Sequence, residues 1–100
     1  MTIGYKLTDQ NLQTYSGFQW ELNKEYKTSG KGDLCSSGWL HYYEHPLLAV
    51  LHNSMHANFS EPRLFEAEIG EVVKHDGMLK AGTSSMRLIK EIPLPEVTTE

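Results

Sequence analysis

The sequence has little that could crosslink or anchor a chain. It contains one cysteine, which excludes an internal disulfide and a cysteine-rich zinc site. No apolar run approaches the ~20 residues that span a bilayer, and no signal peptide opens the chain. The 9 Lys and Arg face 13 Asp and Glu and form no basic stripe, which disfavours direct binding of nucleic acid. These absences predict a soluble, acidic, cytoplasmic protein that binds neither membrane nor nucleic acid.

What is present predicts one small folded domain. The 100 residues fit a single domain, and a 10% share of aromatic residues supplies a modest core. We expect this domain to cover residues 1–93 and an extended tail to cover residues 94–100, because Pro93 and Pro95 disfavour regular structure. The net charge of −4 keeps a small protein in solution and also favours a basic partner.

Alternation of apolar and polar residues predicts five or six short strands. The clearest cover residues 3–7, 39–43, 63–69 and 85–92. Three sets of apolar residues are each expected to share one strand face: Ile3, Tyr5 and Leu7; Phe65, Ala67 and Ile69; and Met86, Leu88 and Ile92.

Turn-forming residues separate the strands. Residues 17–22 and 25–27 are predicted to pair as a hairpin around Asn23-Lys24. Asp9-Gln10-Asn11 indicates a turn, and Ala81-Gly82-Thr83-Ser84 indicates a loop, because these residue types favour irregular backbone.

One helix is predicted, beginning at Pro46. The fixed φ of proline suits the first helical position, and apolar residues follow at helical spacing as far as Leu51. The helix is expected to end near Ser54 to Met55. Strands with a single helix indicate an α+β fold, in which mostly antiparallel, curved strands carry the helix packed on one side.

The histidines offer one candidate metal site. His45, His52 and His56 would share one face of a long helix, a spacing that metal sites use. However, the predicted helix begins after His45 and ends before His56, and no cysteine or carboxylate stands at a matching spacing. We therefore predict no metal site and no cofactor, and interpret these histidines as a solvated face.

Two further groups of residues have both a chemical and a structural interpretation. Cys35 and His41 could form a nucleophile–base pair, but no third residue that would orient the histidine is identifiable. A buried thiol and a hydrogen-bonded imidazole are the simpler interpretation. Four aromatic residues could line a pocket or an interface: Trp20, Trp39, Tyr42 and Tyr43. The preferred interpretation is that the aromatic residues build the core.

The glutamates form the densest charged surface. Glu66 and Glu68 share one face of the strand at residues 63–69, with further acidic residues nearby in sequence. Such a pair can serve acid–base catalysis, form the wet face of a half-buried strand, or bind a basic partner, and we favour binding over catalysis. The predicted partner-binding residues are Glu61, Glu66, Glu68, Glu71 and Asp76.

Several motifs resemble a family of small bacteriophage and prophage domains. Cys35, Gly38 and His41 resemble the Cys-x-x-Gly-aromatic-His signature of that family, with Trp39-Leu40 where the family has one aromatic residue. Gly17-Phe18-Gln19-Trp20 resembles its Gly-Phe-Gln-Tyr-like strand. The resemblance covers nearly the whole chain and implies a viral or prophage origin. It also implies a mode of action, because small acidic phage proteins, anti-CRISPR proteins among them, often bind and block a host protein.

A second resemblance is to the first half of an ADP-ribosyltransferase core. It looks similar in the placement of Tyr5-Lys6 on a first strand and of Gly38-Trp39-Leu40-His41 before a helix. This resemblance implies NAD bound between strands and a catalytic glutamate on a late strand, for which Glu66, Glu68 and Glu91 are the candidates.

The leading hypothesis is a phage-encoded inhibitor that acts in the host cytoplasm. It would bind a host defence protein through its acidic face, and the partner would offer a basic groove such as one that holds nucleic acid. The alternatives are an ADP-ribosyltransferase-like, NAD-binding domain and an accessory domain of a longer phage protein.

Overall fold

The computed structural model describes residues 2–14, 18–32, 38–52, 61–76 and 80–94. This part of the chain holds nine strands and one helix. In chain order they are β1 (Thr2–Thr8), β2 (Gln13–Thr14), β3 (Phe18–Gln19), β4 (Glu25–Lys27), β5 (Leu40–Tyr42), α1 (Pro46–His52), β6 (Arg63–Ile69), β7 (Val73–Asp76), β8 (Lys80–Thr83) and β9 (Ser85–Ile92).

The strands form three antiparallel sheets. The main sheet has the order β1-β6-β9-β4, a second sheet has the order β5-β8-β7, and β2 pairs with β3. The predicted α+β class with a packed helix is therefore wrong, and the protein is mostly β. Helix α1 has seven residues, and among its described side chains only Ala49 is buried, so the strands supply nearly all of the buried surface.

Strand β6 organises the main sheet, and its bounds agree with the prediction. It pairs with β1 on one side and with β9 on the other. Phe65, Ala67 and Ile69 share one face, as predicted, and join the main hydrophobic core. Because side chains alternate along a strand, Leu64 and both glutamates of β6 lie on the opposite face, which we call the outer face.

A β-bulge in β9 changes which residues share a face. Leu88 lies opposite Ala67, but Lys90 lies opposite Glu66, so Ile89 is an extra residue in β9. The prediction that Ile92 shares a face with Met86 and Leu88 is wrong, because the bulge shifts the alternation by one residue. Met86 and Leu88 lie in the main core, whereas Ile92 packs with Leu64 on the outer face.

In strand β1, the face that carries the alternating apolar residues is not the face that points to the main core. Ile3, Tyr5 and Leu7 share one face, as predicted, but this is the outer face. Gly4 and Lys6 pair with Ala67 and Phe65 and therefore point to the core. The core leaves little room for a side chain at position 4, because an added Cβ would lie 2.5 Å from Cδ2 of Tyr42 and 2.9 Å from Cγ1 of Ile69.

The segment at residues 81–84 corrects a prediction. Its glycine, threonine and serine suggested a loop, yet Lys80–Thr83 form the central strand β8 of the second sheet. Gly82 lies opposite His41 on one side and Lys74 on the other. Pairing on both sides outweighs the weak strand preference of these residues.

The hairpin predicted for residues 17–22 and 25–27 is wrong. Strand β3 pairs with β2, whereas β4 pairs with β9 at the edge of the main sheet. The turn around Asn23 does form, with a positive φ of 64°, but the Asn23 amide donates to the carbonyl of Leu88 rather than across a hairpin. The chain thus leaves one sheet and enters another at this turn.

Two local predictions are confirmed. The Asp9 carboxylate accepts hydrogen bonds from the amides of Asn11 and Gln13 at 2.8 and 2.9 Å, which closes the predicted turn. Helix α1 begins at Pro46; its predicted end at Ser54 to Met55 lies outside the described residues, as does most of the predicted tail. The helix in the described part of the chain lacks the length and apolar run needed to cross a bilayer.

The main core lies between the main sheet and the second sheet. Trp20 is 1% exposed and its indole N–H donates to the Thr14 hydroxyl at 2.9 Å. The core combines aromatic residues with aliphatic residues from β5, β6, β8 and β9: Trp20, Leu40, Tyr42, Phe65, Ala67, Ile69, Ala81, Met86 and Leu88. This supports the interpretation of the aromatic residues as core. A smaller cluster of Leu7, Ala49 and Leu64 closes one end of the outer face.

Candidate functional site

The two strand glutamates of the predicted acidic face lie on the outer face of the main sheet, each opposite a cation. Glu66 lies opposite Lys90 in the β6–β9 register. Glu68 lies opposite Arg87, and the Arg87 guanidinium donates to its Oε1 at 2.5 Å. The side chains of Arg87 and Glu68 are 42% and 26% exposed. Each glutamate of β6 is therefore matched by a cation on this face, a pattern that follows from cross-strand pairing of opposite charges.

A third carboxylate joins this face from β4. Glu25 lies opposite Arg87 on the far side of β9, so it shares a face with Glu68. Glu25, Glu68 and Arg87 line a shallow cleft of about 90 Å³, together with Ile69, Gly70 and Ser85. The cleft forms where β6 ends, because Gly70 and Ser85 carry little or no side chain. Glu25 was not predicted as part of this site, because it lies on a different strand from the two glutamates of β6.

The other three predicted binding residues lie outside the sheet face. Glu61 and Glu71 are exposed and flank β6 at its two ends. Asp76 ends β7 in the second sheet, and its side chain is not described. The structure thus brings Glu66 and Glu68 together and adds Glu25. The binding role of the predicted set stays a prediction.

The signature glycine has a clear structural function. Gly38 is buried, and an added Cβ would lie 2.1 Å from the carbonyl oxygen of Lys31. Its own carbonyl accepts hydrogen bonds from the Gly30 amide and the Thr28 hydroxyl, both at 2.8 Å. Gly38 therefore closes the loop before β5. Cys35 lies outside the described residues, so its predicted pairing with His41 stays a prediction.

His41 lies in β5 and contributes a backbone group to the core. Its carbonyl oxygen accepts a hydrogen bond from Nζ of Lys6 at 2.6 Å, across 35 residues of sequence. The side chains of its neighbours Leu40 and Tyr42 are buried, so the half-buried imidazole lies on the other face of the strand.

Lys6 is the residue that the sequence pattern missed. Its ammonium lies 5.3 Å from the centroid of the Trp20 ring and reaches the His41 carbonyl through the main core. Burial lowers the pKa of the Lys6 ammonium from 10.5 to about 8, because the charged form loses its hydration. The one available signal was its register: Lys6 alternates with Gly4 and Thr8, on the strand face opposite the apolar one.

The glutamate candidate of the last strand is already engaged. Two guanidinium nitrogens of Arg63 donate to the Glu91 carboxylate, at 2.6 and 3.0 Å. These hydrogen bonds lower the pKa of Glu91. Glu91 lies opposite Phe65, whereas Glu66 and Glu68 lie on the outer face, so the three candidates do not share a site.

The histidine positions offer no described metal centre. His45 caps helix α1, because its Nδ1 accepts a hydrogen bond from the Leu47 amide at 3.2 Å. The His52 side chain and His56 lie outside the described residues. Across the described ranges, no group of three His, Cys, Asp or Glu residues is close enough to hold a metal ion.

Comparison with known proteins places the chain in a family. No curated protein and no solved structure matches the chain. The model of one family, described as a domain of unknown function (DUF7666), matches residues 2–100. Because this match covers nearly the full length, the chain belongs to the DUF7666 family.

Proposed function

We propose that this domain binds a basic protein through the outer face of its main sheet. The observation that carries the proposal is the convergence of Glu25, Glu66 and Glu68 on that face, from two different strands. Backbone pairing fixes the strands, so the carboxylates are held in place before a partner arrives. Such preorganisation lowers the entropy cost of association.

The cleft offers a position for a basic side chain of the partner. Within the described part of the chain, Arg87 engages Oε1 of Glu68, and Oε2 remains for a second cation. Glu25 supplies a further carboxylate on the opposite side of Arg87. Lys27 contacts Oε1 of Glu25 at 3.3 Å, so Oε2 is the oxygen that would meet the partner. An arginine of the partner would donate to both carboxylate groups here, and such charge-assisted hydrogen bonds are stronger than those between neutral groups.

The resemblance to phage domains supports the finer form of this proposal. The domain acts as a phage-encoded inhibitor of a host defence protein, and it covers a basic groove that would otherwise hold nucleic acid. Its net charge of −4 adds long-range attraction to such a groove. The inhibition is steric and requires no reaction.

The test is capture of bacterial proteins on the tagged domain at low and high salt. We expect one stoichiometric partner that is lost at high salt, because exposed charges are screened within about 10 Å at 0.1 M ionic strength. A host that contains the target is needed, and absence of any partner contradicts the inhibitor proposal for that host.

Charge reversal then locates the binding surface. Glu66→Lys and Glu25→Lys should each weaken capture at least about tenfold, since each replaces attraction with repulsion on the binding face. Glu21→Lys is the matched control, because it makes the same charge change at an exposed residue outside the main sheet. Equal loss in all three variants, or in none, contradicts binding through the outer face.

A further inference from the structure

Strand β4 forms one edge of the main sheet. The sheet order is β1-β6-β9-β4, and no described strand pairs with the other side of β4. The side chains of Glu25 and Lys27 are 56% and 74% exposed, so water reaches this strand in the described part of the chain. An exposed strand edge can accept a further strand through its backbone groups.

Two residues of β4 direct their backbone groups to the open edge. In an antiparallel pair, hydrogen-bonded and non-hydrogen-bonded positions alternate along each strand. The Thr28 amide donates to the Ser84 carbonyl at 2.8 Å, so Tyr26, two residues earlier, also bonds to β9. The N–H and C=O groups of Glu25 and Lys27 therefore point away from β9. They offer both donors and acceptors to a further strand.

The charges along this edge are self-complementary. Strand β4 reads Glu25-Tyr26-Lys27, and both charged side chains lie on the outer face. When two such strands pair antiparallel about a two-fold axis at Tyr26, each Glu25 lies opposite Lys27 of the other copy. In-register parallel pairing would instead set glutamate against glutamate and lysine against lysine. The charges therefore favour the antiparallel arrangement.

We propose that the open edge of β4 binds the same edge of a second copy of this chain. Glu25 and Lys27 of the two copies exchange backbone hydrogen bonds, and their side chains form ion pairs between the copies. The main sheets of the two copies thereby become one continuous sheet. On the other face of the strand, Tyr26 contacts Phe18, which is 40% exposed, so apolar surface also lies beside this edge.

Sedimentation equilibrium of the purified chain tests this contact without any host protein. We expect a reversible dimer, populated at high protein concentration, because a short strand edge buries less surface than a standard interface. The weight-average mass should rise with concentration towards twice the mass of one chain. A mass that stays at that of one chain up to about 1 mM overturns the proposal. Growth beyond a dimer also overturns it, because a two-fold contact occupies the edge of both copies.

Charge reversal locates the contact at β4. Glu25→Lys and Lys27→Glu each set like charges opposite each other, and each should raise the dissociation constant of the dimer at least about tenfold. An equal mixture of the two variants should form a heterodimer, since a strand with two lysines then meets a strand with two glutamates. Lys90→Glu is the matched control, because it makes the same charge change at an exposed residue of β9. Variants that dimerise as tightly as the parent, or a mixture that stays monomeric, overturn the proposal.

Lys27→Glu also separates this contact from the proposed binding of a basic partner. The variant loses the complementary edge but adds a carboxylate to the outer face. We therefore expect it to lose the dimer and still to capture the basic partner.

Discussion

The two faces of the main sheet are stabilised in different ways. On the core face, Phe65 and Met86 are almost completely buried, and they share the main core with Trp20 and with residues of the second sheet. Among the described residues, helix α1 covers the outer face near Leu64, and the rest of that face carries Glu66, Glu68 and their opposing cations. The comparison teaches that one strand, β6, can supply both a core and a charged surface, because its side chains alternate.

The largest loss of stability should follow truncation of Trp20, whose side chain packs in the core beneath the main sheet. Trp20→Ala removes the largest fully buried side chain of the described residues, together with its hydrogen bond to Thr14, and should lower the free energy of unfolding by about 3–5 kcal/mol. Phe18→Ala is the control. The centroids of the Phe18 and Trp20 rings are 5.1 Å apart, but Phe18 is 40% exposed. Urea denaturation measures the free energy of unfolding of both variants. Similar losses would contradict the expectation that the cost of truncation follows burial.

Because of Lys6, the stability of the fold should depend on pH. Because burial lowers the pKa of Lys6 to about 8, the unfolded chain binds its proton more tightly than the folded chain between pH 8 and 10.5. The free energy of unfolding should therefore rise with pH from 8 upwards, by at most roughly 3 kcal/mol, and stay at its lower level below pH 8.

The useful window for this measurement ends near pH 10. Burial raises the pKa of Tyr42 and of Tyr43 above 10, so the folded chain holds those protons more tightly and stability falls again at higher pH. In Lys6→Met the rise between pH 8 and 10 should vanish, whereas in Lys24→Met it should persist. Thermal unfolding at a series of fixed pH values measures this rise. If the rise persists in Lys6→Met, another titratable group causes it.

Tight packing of the core face is tested at Gly4. Gly4→Ala places a Cβ against the Tyr42 ring and Ile69, and should cost about 1–3 kcal/mol through displacement of these side chains. Ile3→Ala alters the adjacent residue on the outer face, which is exposed, and should cost less than about 1 kcal/mol. Denaturant titration of both variants compares the faces at neighbouring positions. A Gly4→Ala protein as stable as the parent would show that this part of the core has room for the added Cβ.

The smallest effect is expected from the outer-face ion pair. A double-mutant cycle with Glu68→Gln and Arg87→Met should give a coupling free energy below about 1 kcal/mol, because both side chains retain contact with water. The coupling should shrink further at high salt. A coupling of several kcal/mol would mean that this pair is as important to the fold as the core.

The sequence predicted local features well where one strong signal acted alone. The alternation in residues 63–69 yielded the bounds of β6, Pro46 marked the start of α1, and the Asp9 side chain marked a turn. Each signal depends on residues that are neighbours in the chain. The predicted glutamate pair at 66 and 68 belongs to the same class, since two residues of one strand share a face wherever that strand lies.

Features that depend on distant partners were missed or misassigned. Gly82 lies in a central strand because two other strands pair with it, and the side chain of Ile92 lies on the outer face because of the bulge at Ile89. Glu25 meets Glu68 only across β9. The α+β prediction failed because it gave the helix a share of the core, whereas helix α1 has seven residues and, among its described side chains, buries only Ala49.

The sequence by itself determined the alternation along each long strand, the helix start, the single-cysteine chemistry and the acidic charge. Only the tertiary structure decided which strand face became the core and what surrounds each charge. Lys6 shows the difference most clearly: its position in β1 is set by local alternation, whereas its acceptor, the His41 carbonyl, is 35 residues away. Burial and pairing are properties of the assembled sheets, so the pKa of one amine depends on the whole fold.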